Sequence, residues 1–231
     1  MKDVLLEIIR KKESELGLNG IEELYKLVMD DRQPSFAKGA YVFIETEDNW
    51  GSSFRAASEL IKRDAATEVF SVYHKKLAGS PGYFKWKEKL ERFVGFGRVR
   101  YIRLDNLRGF NTLSESVALV EFAHENEINS FYLVAPPFHM LRTFMTAASV
   151  AIRNGSEINF FACPGAPQDL NQNVLHSQGK GPFPRWKWFE LELKTISDYS
   201  EKNGIPLTPG LIKYESIQDI INYMKRRKTD S

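Results

Sequence analysis

The chain has 231 residues, enough for one α/β domain with extensions and a full hydrophobic core. Hydrophobic residues make up 42% and charged residues 27%, an ordinary globular profile, and no apolar run approaches the roughly 20 residues that cross a bilayer. With 32 basic and 30 acidic side chains the formal charge is +2, which gives no reason to expect nucleic acid as a partner.

Residues 1–10 read as an amphipathic helix interrupted by charge, without the apolar core or small-residue cleavage site of a signal peptide. Cys163 is the single cysteine, so neither an internal disulfide nor a cysteine metal cluster is expected. A reducing cytoplasm fits both observations.

Residues 3–29 are predicted as two helices broken at Gly17-Leu18-Asn19-Gly20, with Leu5, Ile8 and Ile9, then Ile21, Leu24, Leu27 and Val28 as their apolar faces. A polar linker over 31–39 leads to the first strand, 40–45, and a polar turn, 47–53. A helix follows with Phe54, Ala57, Leu60 and Ile61 as its stripe. The second strand is 67–73, and the third helix opens at 78–82 and carries Trp86, Leu90 and Phe93. The third strand, 98–104, turns Val99, Leu104 and either Tyr101 or Ile102 inward. Asn111-Thr112 cap the next helix, with Thr112 and Glu115 at capping-box spacing.

Residues 131–135 form an apolar run of the buried parallel type. Pro136 and Pro137 break the ladder, because neither donates a backbone hydrogen bond. The period then becomes helical, with Met140, Phe144, Ala147, Ala148 and Ala151 three or four apart. The fifth strand is 157–163. Residues 166–184 make a long Gly-, Pro-, Asn- and Gln-rich excursion, the composition of a lid or binding segment. Helices return at 185–193 and near 217–224, with Trp186, Trp188 and Phe189 on an inner face. Alternating strands and helices predict a Rossmann-like α/β fold: a parallel sheet of about five strands, helices on both faces. Residues 37–165 make this unit, 1–36 an N-terminal helical extension, and 166–231 a loop and helices packed on the same domain. For strand order 3-2-1-4-5, ligands bind where the order reverses, between strands one and four.

His139 and Arg142 lie three apart on the first turns of the helix after strand four, where unpaired N–H groups and the helix dipole favour an anion. His139 is the catalytic candidate, able to act as acid or base near neutral pH. The structural alternative pairs Arg142 with a carboxylate and leaves His139 capping the turn. Asn111 and Thr112 either meet a ligand or only cap their helix. Arg55 is an anion clamp or a solvated helix cation. Asp48 and Asn49 hold a ribose hydroxyl, or a metal through water, or form a plain polar turn. His74 follows strand two, where adenosine ligands place a ribose; the alternative is an exposed loop histidine. His124 and His176 have no partners at meaningful spacing. No nucleophile elbow, P-loop or zinc motif is present.

Arg55, Asp105, Asn111-Thr112 and Phe138-His139-Met140-Leu141-Arg142 occur in the order and at the spacing of a known pattern. It resembles the YdcF-like family, which includes the SanA and ElyC envelope proteins, over roughly residues 40–165. That pattern has an arginine in the first helix, an acidic residue shortly before Asn-Thr, and a Tyr-His-Met-x-Arg turn. The resemblance implies a Rossmann-like fold and a nucleotide-type ligand, with S-adenosylmethionine one suggestion, held by Arg55, Asp105, Asn111, Thr112, His139 and Arg142. Glycines usual after strands one and two are absent: the turns here are Glu47-Asp48-Asn49-Trp50-Gly51 and Ser71-Val72-Tyr73-His74. The expectation is therefore a small anionic, nucleotide-derived ligand between the turns after strands one and four. The alternative is a non-catalytic sensor or interaction module with a degenerate cleft.

Overall fold

A computed structural model describes residues 1–31, 33–76, 80–104, 111–175, 181–200 and 214–227. Helices α1 (Lys2–Leu16) and α2 (Ile21–Met29) form the N-terminal hairpin. Gly17 ends α1 at φ +66, a conformation that L side chains avoid, and lets the amides of Gly17 and Leu18 return to the carbonyls of Ser14 and Glu13.

Five strands follow: β1 (Gly39–Val42), β2 (Glu68–Val72), β3 (Val99–Ile102), β4 (Ser130–Ala135) and β5 (Asn159–Pro164). They pair in parallel in the order β3-β2-β1-β4-β5, so the chain reverses direction across the sheet at β1/β4. The crossovers are α3 (Trp50–Lys62), α4 (Tyr83–Val94), α5 (Thr112–Glu125) and α6 (Pro137–Arg153). Helix α3 packs on α4, and α5 on α6. Right-handed crossovers put one such pair on each face of the sheet. The open choice in β3 resolves to Ile102, which is buried beside Val99 while Arg100 and Tyr101 face out.

After β5 the chain makes a small hairpin, β6 (Asn173–Val174) with β7 (Phe183–Pro184), then α7 (Arg185–Ser200) and α8 (Ile217–Arg226). Gly165 makes this exit possible: a Cβ there would lie 2.4 Å from the Ser52 hydroxyl and 3.0 Å from its carbonyl carbon. The close approach lets the Ala166 amide bond to the Ser52 carbonyl at 3.0 Å.

Helix α6 is the inner pillar. The apolar stripe predicts one buried face, yet 14 of its 17 residues are buried. The sheet covers one side, while α2, α7 and α8 cover the other. Its second face is small and polar: the Thr146 hydroxyl meets Tyr214 Oη at 2.9 Å and Ser149 Oγ accepts from the Glu215 amide at 3.0 Å. An all-round-buried helix of this kind loses the amphipathic signature that a surface helix shows.

The outer edge of β5 is closed by side chains. The Asp31 carboxylate accepts from the Ala162 amide and from Arg227, whose guanidinium also donates to the Phe160 carbonyl and lies 4.8 Å from the Phe161 ring centroid. Tyr223 Oη accepts from the Phe160 amide and donates to the Ile158 carbonyl. These contacts occupy backbone groups that would otherwise template pairing with another chain.

Candidate functional site

Three segments converge where strand order reverses. The chain leaving β1 runs through Phe43 and Ile44 to Glu45, with the Phe43 amide still bonded to the Val134 carbonyl of β4. Beyond β4, Pro136 N-caps α6 and Pro137 takes its first position, where a missing N–H costs nothing. The next turn presents His139 and Arg142. The N-terminus of α5 brings Thr112 and Glu115 against them.

All these groups are buried. Glu115 Oε2 accepts from Tyr41 Oη at 3.0 Å and from the Ile44 amide at 3.3 Å. His139 Nε2 lies 3.5 Å from Thr112 Oγ1 and 3.8 Å from Glu45 Oε1. Helix α7 supplies the fourth side through Glu192. Its Oε1 stands 3.2 Å from His139 Nδ1 and 3.3 Å from Arg142 Nη2, and its Oε2 accepts from Arg142 Nε. Three carboxyl groups thus surround one guanidinium and one imidazole, each of them under a tenth exposed except the arginine, at 14%.

Electrostatics makes this assembly tolerable. Burial pushes the Glu45 carboxyl up to about 8, and the nearby Glu192 and Glu115 charges add to it while Arg142 opposes. Burial likewise raises Glu115 to about 8, against the hydrogen bonds it accepts from Tyr41 and Ile44. Burial works to discharge Arg142, but Glu192, Tyr214 and Glu45 outweigh it and the guanidinium ends above its usual pKa. At neutral pH the cluster therefore carries a charged Arg142–Glu192 pair beside two protonated carboxyls. A carboxylic acid kept neutral next to an imidazole can donate a hydrogen bond or a proton. Among the described residues no three His, Cys, Asp or Glu side chains converge as a metal site would require.

The predicted residues divide. His139, Arg142 and Thr112 belong to the cluster. Asn111 is instead the N-cap of α5: its Oδ1 accepts from the Leu113 and Ser114 amides, and Ser114 Oγ accepts from the Asn111 amide. The capping box is thus Asn111 with Ser114, one residue earlier than the expected Thr112–Glu115 pairing, and Glu115 is freed to point inward. Asp105 lies outside the described residues, as does His176. Arg55 is exposed on α3 and lines a separate 690 Å³ groove with Arg63, Phe93 and Cys163.

Asp48 and Asn49 are engaged by the chain after β5. Arg185, only 1% exposed, donates to Asn49 Oδ1 at 2.9 Å, to the Asp48 carbonyl at 2.8 Å, to the Asp169 carbonyl at 2.9 Å and to Gln172 Oε1 at 2.7 Å. The Leu175 amide donates to Asp48 Oδ2 at 3.3 Å. The turn after β1 is thereby stapled to the chain that precedes α7, and its polar atoms are spent within the protein. Arg185→Leu is expected to leave four acceptors without their donor and to cost roughly 3 kcal/mol or more, since each bond to a charged group is worth about 1.5–3 kcal/mol. Urea unfolding measures this, and faster proteolysis at 166–184 should accompany it. An unchanged midpoint contradicts the staple.

His74 is not an exposed loop histidine. It is 5% exposed, with Nε2 2.8 Å from Ser80 Oγ, and burial lowers its pKa. His124 is exposed. Cys163 is buried and its thiol is pushed up to about 11 by burial, so it is a poor nucleophile. Trp188 and Phe189 are core residues, as the tail helix predicts, and Trp188 Nε1 donates to the Val174 carbonyl.

Sequence reasoning missed Glu45, Glu115 and Glu192. Signals existed for each: Glu45 directly extends an apolar strand, Glu115 lies on the inner face of its helix, and Glu192 sits four residues after the core Trp188. Compared with known proteins, the chain matches no family model, no curated protein and no solved structure.

Proposed function

We propose that the cluster between β1 and β4 binds a small nucleotide-derived molecule and moves a proton on it. The observation that carries this reading is the pair of buried carboxyls, Glu45 and Glu115, held protonated to about pH 8 around His139 at the reversal of strand order. His139 acts as the acid or base, Glu45 as the neutral donor facing it, and Thr112 as a hydroxyl partner. Arg142 receives the anionic group of the ligand, which exchanges with the Glu192 carboxylate. S-adenosylmethionine suits the arrangement chemically: its carboxylate matches Arg142, and its cationic ammonium matches the Glu192 carboxylate that the exchange frees. The resemblance to YdcF-like proteins supports the same ligand class, and the lone buried cysteine fits a cytoplasmic setting.

Calorimetric titration with S-adenosylmethionine, AMP and ADP tests the reading. Binding of at least one is expected, weakened tenfold or more by His139→Ala with the fold intact by circular dichroism. Absence of heat with all three overturns it.

One observation favours a second reading, a non-catalytic sensor or interaction module. Arg142 and His139 are already both engaged by Glu192. If neither the natural chain nor Glu192→Gln binds any of the three compounds, the internal ion pair is structural and this second reading stands.

A further inference from the structure

The near-neutral charge of the whole chain conceals an uneven surface. Tyr73 just past β2, Phe84 in the first turn of α4 and Tyr101 near the end of β3 are 40%, 73% and 48% exposed. Their rings touch: Tyr73 lies 5.8 Å from Phe84 and 6.1 Å from Tyr101, centroid to centroid. Buried Tyr83 sits beneath, 5.6–5.7 Å from all three. Single exposed apolar residues need no explanation, but three joined through Tyr73 and the underlying Tyr83 form a patch.

The patch is built, not incidental. Tyr73 continues β2, its amide bonded to the Ile102 carbonyl, and the Tyr83 amide ties the first residue of α4 to the His74 carbonyl. Gly82, at φ +90, brings Lys76 against the start of α4: a Cβ there would meet the Lys76 nitrogen at 3.1 Å. Among the described residues the Tyr83 hydroxyl is buried without a hydrogen-bond partner, and burial holds its pKa up at about 12, so it remains a donor. An unpaired buried hydroxyl costs free energy until an acceptor reaches it.

The rim is cationic. Lys75 stands two residues past Tyr73 and Arg103 two past Tyr101, the spacing that shares a face of an extended chain. With Lys76 they are exposed and have no ion-pair partner among the described residues. Of the acids near the rim among the described residues, Glu47 pairs with Lys85, Glu88 pairs with Arg92, and the Asp48 carboxylate accepts from the Leu175 amide. Lys76 and Lys85 also line an adjoining 450 Å³ cavity, together with Glu47 and Asp48.

We propose that this aromatic and basic surface docks single-stranded nucleic acid. Exposed rings stack on bases of any sequence, while flanking lysine and arginine follow the phosphates. A stable protein partner needs about 800 Å² from each side, more than three partly exposed rings offer, whereas each stacked base needs one ring face. An open surface suits a strand laid across it better than a mononucleotide, which is held by enclosure. The surface does not depend on the ligand assigned to the switch-point cluster.

Fluorescence anisotropy of labelled oligothymidylate and oligouridylate, titrated with the full chain at low salt, is the test. Binding to at least one is expected, weakened roughly tenfold by Phe84→Ala and further by adding Tyr101→Ala. Lys75→Ala and Lys76→Ala should each flatten the salt slope by about 0.7. Both rings are exposed, so wild-type melting temperatures accompany these losses. No binding of either oligonucleotide overturns the proposal, as does binding indifferent to Phe84→Ala. Equal affinity for duplex DNA or polyglutamate also overturns it, identifying a merely electrostatic or acidic-peptide surface.

Discussion

Arg142→Ala should destabilise the fold by about 3–5 kcal/mol, the usual cost of stranding one partner of a buried ion pair. Glu192 is 4% exposed and contacts both Arg142 and His139. Without the guanidinium it remains a buried charge beside Glu45 and loses its compensation. Glu45 would also rise further, since Arg142, with the Thr46 backbone, pulls its carboxyl down. Two companions separate loss of charge from loss of volume. Arg142→Ala with Glu192→Gln should recover a substantial part of the stability, because the stranded charge is gone. Arg142→Lys should recover little, since an ammonium cannot bridge both Glu192 oxygens as the planar fork does. Urea unfolding of the natural chain, of Arg142→Ala and Glu192→Gln singly, and of the double variant gives the coupling directly. Additive single-mutant effects would show that the two side chains do not act as a pair.

The contrast between Arg142 and Glu192 marks where sequence reasoning succeeds. His139 and Arg142 are legible because local grammar places them: an apolar run, two prolines and a change to helical period put both on the first turns of a helix at a strand's carboxyl end. The five-strand parallel sheet is legible for the same reason, each strand and crossover being a contiguous signal. Glu192 lies 50 residues from Arg142, on a helix whose approach to α6 no local pattern encodes. Arg185 illustrates the same difficulty, reaching back 136 residues to Asn49. It reads as the start of an amphipathic tail helix, not as the residue that consumes the Asp48-Asn49 turn. Asn111 shows a finer limit. Capping geometry is decided by one residue of register, and that register determines that Glu115 turns to Tyr41 and not back to its own backbone.

The raised carboxyls also predict an unusual pH dependence. Glu45 and Glu115 titrate near 8 in the folded protein, against an ordinary 4.5. Between those values the folded state holds protons that the unfolded chain has released. Stability from these groups is therefore complete below about 4.5 and falls as pH rises through 8, where both states become ionised. The two carboxyls share a cluster, so the fall belongs to the pair and not to either residue alone. Buried His74 acts with the opposite sign: its folded pKa is lowered, so its contribution grows as pH rises through the ordinary histidine range near 6.5. The net decline should accordingly be steepest between about 6.5 and 8. Glu45→Gln keeps the shape and removes the titration. Its melting temperature should exceed that of the natural chain by several degrees at pH 8 and converge with it near pH 5, roughly 1 kcal/mol corresponding to 2–4 °C at this size. Glu115→Gln should behave likewise, and the double variant should give the flattest profile. Melting curves that run parallel for the natural chain and Glu45→Gln from pH 5 to 8 would mean that Glu45 is ionised throughout. That result would also remove the neutral donor from the proposed site, because only a protonated Glu45 can hand a hydrogen to His139 or to a ligand. Ligand affinity should therefore decline over the same pH range in which stability does, and in Glu45→Gln that decline should shrink.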